Sequence, residues 1–301
     1  MSSHGVSVFA PAKLNLFLHV GEERPDGYHA LESLVVFADA GDRLQIAPAK
    51  EASFRVTGPF AAQVPKGADN LVQRASAFLG EAAAQSEPAA ITLEKNLPVA
   101  AGLGGGSADA AAVLRGLNAL WGLERSENEL IEIAAKIGSD VAACLLSRPC
   151  WMAGRGESVT PLGLVPPLSL VLVNPGVLLP TKVVFHELNA RTGLGALLPP
   201  KGAINSLWDL VAYLDDAEND LEAPAARLRP VIDEVLDCLN NEPGCVLAQM
   251  SGSGATCFGL FDGHQYAAGA AERIAQDHSV WWVRSCRIAA PDIGVPQRVW
   301  A

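Results

Sequence analysis

Pro98-Val99-Ala100-Ala101-Gly102-Leu103-Gly104-Gly105-Gly106-Ser107-Ala108-Asp109-Ala110 is the stretch on which the fold is decided. Four of its glycines fall within five residues, at 102, 104, 105 and 106. Glycine loses more conformational freedom on folding than any other residue, so such a run is costly as a mere connection. It leads at once into Ala108–Leu120, an alanine- and leucine-rich run of good helix formers. A glycine turn feeding a helix start suits the wrapping of an anion, because the first N–H groups of a helix have no intrahelical partner and point outward. Ser107 adds a hydroxyl that can reach a phosphate oxygen or Mg2+. The competing reading is a tight strand-to-helix turn that binds nothing. A Walker A loop is excluded, since the chain has no Gly-Lys dipeptide, and no G-x-G-x-x-G dinucleotide fingerprint occurs either.

Upstream of the turn the pattern is mostly strand-like. Val6–Phe9 and Leu14–Val20 flank Ala10-Pro11-Ala12-Lys13, and further strands are expected at Leu31–Phe37, Arg43–Ala47, Ser53–Val56 and Ile91–Glu94. A helix is expected over Asn70–Ala83. Downstream, Ser126 and Glu129 form a capping box ahead of the apolar stripe Leu130, Ile133, Ala134 and Ile137, with Gly138 as the stop. Ser139-Asp140 then opens a short helix through Leu146. Pro161, Pro166 and Pro167 mark a boundary, dividing the chain into residues 1–162 and 163–301. Beyond it, strand Leu168–Val173, helices Leu207–Leu214 and Leu221–Leu239, strands Val246–Met250 and Cys257–Phe261, helix Gln265–Gln276 and strand Trp281–Cys286 make a second α+β unit. Gly193–Gly202 reads as a loop.

Composition narrows the function. With 301 residues the chain is long enough for two cores, and at 50% hydrophobic and 18% charged it is globular rather than disordered. A formal net charge of −11 with scattered basic residues argues against nucleic acid as a partner. No apolar run reaches the roughly 18 residues of a membrane span, no signal peptide opens the chain, and the six cysteines form no framework. A reduced, cytoplasmic protein is expected. His186-Glu187 starts like a zinc-protease helix, but position 190 is alanine and the ligand spacing fails.

Pro98–Ala108 resembles the central phosphate-binding motif of the GHMP kinases, the family of galactokinase, homoserine kinase, mevalonate kinase and phosphomevalonate kinase. Pro11-Ala12-Lys13-Leu14-Asn15-Leu16 is similar to the family's N-terminal motif, and Met250-Ser251-Gly252-Ser253-Gly254-Ala255-Thr256 to its C-terminal glycine loop. The three occur in the family's order and the resemblance covers nearly the whole chain. It implies an α+β, two-domain architecture: an N-terminal domain like the second domain of ribosomal protein S5, and a ferredoxin-like C-terminal domain. It also implies ATP and a divalent cation, Mg2+, as cofactors.

Carried over residue by residue, the resemblance implies that Lys95, Pro98, Gly102, Leu103, Gly104, Gly105, Gly106, Ser107 and Ala108 hold ATP, with Asn70 and Asn96 near the adenine. The family usually has a second serine where this chain has Ala108. Asp140 and Lys13 carry over as the catalytic pair, with Asp140 as the base toward an attacking hydroxyl; from the local sequence alone, Asp140 serves equally as a helix cap. Pro25-Asp26-Gly27-Tyr28-His29, Gly138-Ser139-Asp140-Val141 and Asn219-Asp220-Leu221-Glu222 resemble the branch of the family that acts on a cytidine-diphosphate-linked polyol. That resemblance makes Asn15, Tyr28, His29, Thr181, Phe185, Ser251 and Gly252 substrate contacts, with Tyr28 stacking on the base and His29 bonding its edge. Local sequence leaves Tyr28 open as a surface-turn residue and Phe185 as core. Homoserine or mevalonate kinase, and a binding module without turnover, are the competing functions. The chain is expected to act as a monomer or weak homodimer on ATP and the cytidine substrate, without nucleic acid or membrane.

Overall fold

The computed structural model describes residues 4–83, 87–163, 165–188, 198–200, 202 and 204–300. The chain opens with β1 (His4–Asn15), β2 (His19–Glu23), β3 (His29–Pro48), β4 (Ser53–Thr57), α1 (Leu71–Ala83) and β5 (Ala89–Glu94). After the glycine turn come α2 (Gly105–Leu120), α3 (Glu127–Ile137), α4 (Val141–Leu146), β6 (Cys150–Gly154) and β7 (Ser158–Pro161). The second unit runs β8 (Ser169–Asn174), α5 (Thr181–His186), α6 (Leu207–Leu214), α7 (Glu222–Leu228), α8 (Val231–Asn240), β9 (Cys245–Met250), β10 (Cys257–Phe261), α9 (His264–Asp277) and β11 (Trp282–Arg287). A last strand, β12 (Gln297–Trp300), returns to the first sheet.

The first sheet has the order β12-β1-β3-β5-β4, antiparallel except for β4 and β5, which are parallel with α1 in the crossover between them. The expected strands Leu31–Phe37 and Arg43–Ala47 are one strand, β3, which pairs with β1 and β2 along one edge and β5 and β6 along the other. Helices α1 to α4 cover one face, burying Val8, Phe37, Leu44, Ile46, Leu79, Leu93, Val113 and Leu117 in a common core. The alanine richness of α2 follows from its position: Ala108 and Ala110 through Leu114 are completely buried, so bulky side chains have no room. A Cβ on Gly116 would overlap the Ile46 side chain, which is how closely α2 lies on the sheet.

The second sheet has the order β11-β8-β10-β9 with every pair antiparallel. With helices inserted between β8 and β9 and between β10 and β11, this is the ferredoxin-like topology. All six residues of β8 are buried because the strand is covered twice. Val171 and Val173 face Ile232, Val235 and Ile274 of the C-terminal helices, while Leu170 and Leu172 join Leu14, Leu16, Phe17 and Leu34 of the first unit. One continuous apolar seam thus fixes the two sheets to each other.

Two further expectations need correction. The helix foreseen over Leu221–Leu239 is two, α7 and α8, broken where Arg229 takes φ −143 and ψ 85 ahead of Pro230. Proline's ring excludes the helical conformation for the residue before it and supplies no N–H of its own. Gly138 ends α3 as expected, in an extended conformation at φ −175. Strands β6, β7 and β12 were not foreseen; they are four or five residues long, too short for alternation to show. Most of the loop expected at Gly193–Gly202 lies outside the described residues.

Candidate active site

The three glycine- and lysine-bearing motifs converge on one point. Strand β1 is irregular between Pro11 and Lys13: Pro11 pairs with Gly41, but Lys13 pairs with Phe37. Such a bulge re-aims the side chain that follows it. The Lys13 N–H consequently leaves the ladder and donates to the Leu103 carbonyl of the glycine turn at 2.9 Å. From the other domain comes Ser251, whose Oγ accepts from the Asn15 N–H at 3.1 Å and donates to the Gly102 carbonyl at 3.1 Å. The Thr256 N–H donates to the Ala101 carbonyl at 3.2 Å. Ser251 is fully buried, so it joins the motifs rather than facing a ligand. Gly252 belongs to the same joint, since a Cβ there would lie 3.0 Å from the Gly102 carbonyl oxygen.

The turn itself is built to present amides. Gly102 and Gly104 have φ of +77 and +59, values that L side chains avoid. Helix α2 starts at Gly105, and its first internal bond runs from the Ala108 N–H to the Gly104 carbonyl at 2.8 Å. The N–H groups of Gly105, Gly106 and Ser107 donate to no described group, so three adjacent donors face outward at the positive end of a 16-residue helix. Ala108 is different: its N–H is used and its methyl is buried, leaving nothing for a phosphate, and a serine hydroxyl at this position would point inward too. Leu103 anchors the turn through a buried side chain, and buried Pro98 opens it.

Lys13 and Asp140 meet beside this turn. Lys13 Nζ lies 3.1 Å from Asp140 Oδ2 and donates to Asn15 Oδ1 at 2.7 Å. Asn15 Nδ2 donates to Ser33 Oγ at 2.8 Å, and Ser33 passes the bond to the Phe17 carbonyl at 2.6 Å. The Asn15 side chain is therefore spent on orienting Lys13. Asp140 precedes α4, yet its carboxylate makes no capping bond to that helix, so the capping role is not what the structure shows. Its side chain is 33% exposed against 4% for Lys13: the carboxylate faces solvent and the ammonium comes from inside. A Cβ on Gly104 would lie 3.0 Å from the Lys13 Cβ and Cε, which puts the lysine stem directly on the glycine turn.

Beneath the turn is a buried group that sequence reasoning missed. Lys95 Nζ donates to Asp42 Oδ2 at 2.5 Å and to Asp109 Oδ2 at 2.7 Å, and all three side chains are almost completely buried. Asp42 Oδ1 also accepts from the Asn96 and Leu97 N–H groups at 2.6 and 2.9 Å. Lys95 is thus an internal support, with its ammonium 3.0 Å from where a Gly105 Cβ would sit, and its side chain is not available to ATP. Asp109 Oδ1 has no described partner. Burial raises the Asp109 carboxyl to about 8, against the pull of Lys95 and with the push of Asp42. Burial alone would lower Lys95, but Asp109 and Asp42 together hold it above its ordinary value. The only signal for this cluster was an Asp inside an alanine run. Asn70 is likewise internal, capping α1 by accepting from the Val72 and Gln73 N–H groups at 2.9 and 3.3 Å.

The remaining predicted residues gather at a second end. His29 stacks on Phe185 with ring centroids 5.4 Å apart and planes 30° apart. His29 Nδ1 is 2.9 Å from the Gly21 carbonyl, which can only accept, so Nδ1 carries the proton in the neutral ring and Nε2 is left as an acceptor. Tyr28 is 49% exposed, with the Arg155 guanidinium 5.3 Å over its ring. Thr181 Oγ1 and Ser253 Oγ share a hydrogen bond of 2.9 Å, tying α5 to the C-terminal glycine loop. Asn219 pins that loop from behind, donating to the Met250 and Gly252 carbonyls at 2.7 and 2.8 Å. Among the described residues no three His, Cys, Asp or Glu side chains converge as a metal site, and no helix is long and apolar enough to cross a membrane.

Residues 70–148 match the GHMP kinases N terminal domain and residues 203–279 the GHMP kinases C terminal domain. A 4-diphosphocytidyl-2-C-methyl-D-erythritol kinase of Cereibacter sphaeroides is 49% identical over 93% of this chain and 98% of its own length. The protein of that name in Caulobacter vibrioides is 48% identical over 94% of this chain and 99% of its own. A crystal structure of 4-(cytidine 5'-diphospho)-2C-methyl-D-erythritol kinase superposes with a TM-score of 0.72 at 36% identity, covering 93% of this chain and 99% of that one. Homoserine kinase from Cytophaga hutchinsonii shares the fold, with a TM-score of 0.69 at 18% identity. Two domains of the expected topology, three family motifs meeting at one turn and relatives matched along nearly their whole length show that the chain belongs to the GHMP kinase family.

Proposed function

We propose that the chain transfers the γ-phosphoryl group of ATP to the 2-hydroxyl of 4-diphosphocytidyl-2-C-methyl-D-erythritol, in the isoprenoid pathway that its relatives' name implies, with Asp140 as base and Lys13 as its partner. The observation that carries the reading is the placement of Lys13, whose ammonium pairs with the Asp140 carboxylate while its stem lies on the glycine turn. A phosphate on the Gly105, Gly106 and Ser107 amides has its terminal group near Lys13, and a hydroxyl beside Asp140 is in reach of it. Asp140 accepts the hydroxyl proton as the oxygen attacks phosphorus and ADP departs. Lys13 and the three amides take up the charge that develops on the transferring group. A divalent cation supplies further charge neutralisation when it arrives with ATP, and the Ser107 hydroxyl is the described group that suits it.

The cytidine reading rests on the far end of the site. His29 Nε2 is an acceptor, and the cytosine amino group is a donor. Phe185 backs that imidazole, and Tyr28 offers an exposed ring for stacking. Residues 1–162 would supply the ATP site and residues 163–301 the wall on the substrate side. A monomer or weak homodimer in the cytoplasm is the setting that belongs to this reading. The test is ADP release with Mg-ATP against the diphosphocytidyl substrate, homoserine and mevalonate in parallel. Turnover with the first alone is expected; turnover with either of the others instead would overturn the assignment.

A further inference from the structure

The turn between β6 and β7 places one arginine between the two ends of the site. Gly154 pairs with Leu31, two residues beyond His29, so Arg155 emerges beside the Tyr28-His29 segment. Its guanidinium carbon lies 5.3 Å over the Tyr28 ring. On the other side the turn rests on the residue before Asp140: a Cβ on Gly156 would lie 3.2 Å from the Ser139 carbonyl oxygen and 3.3 Å from the Ser139 Cβ. The guanidinium of Arg155 thus lies beside the ring assigned to the base, and the next residue of the same turn, Gly156, packs on the segment that carries the base catalyst.

The arginine keeps its donors. Stacking on Tyr28 holds the guanidinium flat without using an N–H. Its ion pair is with Glu157, Nε to Oε2 at 3.9 Å with both side chains about one-third exposed, a geometry that contributes little. Glu157 is instead fixed by the Arg155 backbone N–H, which donates to Oε2 at 2.7 Å. The chain's net charge is −11, and the neighbouring segment carries Glu22 and Glu23 beside an Arg24–Asp26 pair. A preorganised arginine in such surroundings is suited to a doubly charged phosphate chain, which a planar fork binds bidentately.

We infer that Arg155 is the specificity residue that grips the diphosphate linking the cytidine to the polyol. The inference rests on the cytidine-diphosphate reading above. In the substrate that diphosphate lies between the base and the reacting polyol, and the turn that carries Arg155 spans from Tyr28 to the Ser139-Asp140 corner. Gripping it there sets how far the polyol reaches toward Asp140.

The test compares binding of cytidine, CMP and CDP by calorimetry in wild type, Arg155→Ala and Arg155→Lys, with KM measured for both substrates. Wild type is expected to bind CDP more tightly than cytidine. In Arg155→Ala the CDP affinity falls roughly 10- to 100-fold, while cytidine affinity and the KM for ATP stay unchanged. Arg155→Lys keeps part of the gain, since a point charge replaces the fork. Unchanged CDP binding in Arg155→Ala would overturn the inference alone. Equal losses for cytidine and CDP would also overturn it, by showing that the arginine acts on Tyr28 and not on phosphate. If wild type binds none of the three compounds, the cytidine reading itself falls and takes the inference with it.

Discussion

Gly102 and Ser251 lock together: Ser251 Oγ donates to the Gly102 carbonyl at 3.1 Å, and a Cβ on Gly102 would overlap the Ser251 carbonyl oxygen. The phosphate turn of one domain and the glycine loop of the other are thereby one structure. Gly102 has no alternative here, because its φ of +77 is strained for any L side chain even before the overlap is counted. Gly102→Ala is expected to destabilise the chain by about 1–3 kcal/mol and to raise the KM for ATP. Thermal melting with and without ATP checks both, and an alanine variant with wild-type melting and KM would refute the close packing.

Replacing Asp140, the proposed base, should leave the donor site standing. Asp140→Asn keeps the shape of the side chain and the Lys13 contact but loses the proton acceptor, so kcat should fall by about 100-fold or more with ATP affinity retained. A variant that turns over normally removes Asp140 from the reaction.

Asn15 works through Lys13. Asn15→Leu deprives the buried ammonium of its 2.7 Å acceptor and leaves Ser33 Oγ without the Asn15 donor. A stability loss of about 1–3 kcal/mol is expected, together with a kcat reduced more than either KM. Equal losses in both KM values with kcat intact would mean that Asn15 touches substrate after all.

The Asp109 carboxyl, raised by burial to about 8, makes stability depend on pH in a set direction. Between about 4, where the unfolded chain releases this proton, and about 8, the folded state retains it. The group's contribution is therefore complete below the unfolded value and is lost as pH rises through the folded one. Asp109→Asn cannot titrate, so from pH 6 to pH 9 the difference in Tm should move in the variant's favour, at roughly 2–4 °C per kcal/mol for chains of comparable size. A constant difference across that range would show that Asp109 stays ionised.

Much of the site was legible because backbone chemistry writes itself locally. The glycines at 102 and 104 had to be glycines to hold positive φ, and Ser126 with Glu129 had to be a helix start. What was not legible is whatever depends on the side chain's surroundings. Lys95 stands in the sequence as a free cation, yet two carboxylates from positions 42 and 109 enclose it. Ala108 stands in the phosphate motif, yet its N–H is bonded to the Gly104 carbonyl and its methyl is buried. Asn15 and Ser251 stand in motifs expected to touch substrate, yet both are buried and spent on other residues of the site.

The sequence by itself determined a glycine-rich helix start and two α+β units, because turn conformation and helix initiation depend on neighbours in the chain; its three motifs carried the resemblance to the GHMP kinases. Tertiary structure decided which of those residues face outward. The bulge after Pro11 that swings Lys13 to Leu103 and Asp140, and the merging of two strands into β3, arise from pairing across the sheet. The same holds for the burial of Lys95 under Gly105. Those partners are tens of residues apart along the chain, and no local pattern records which charge will be covered and which will be left to solvent.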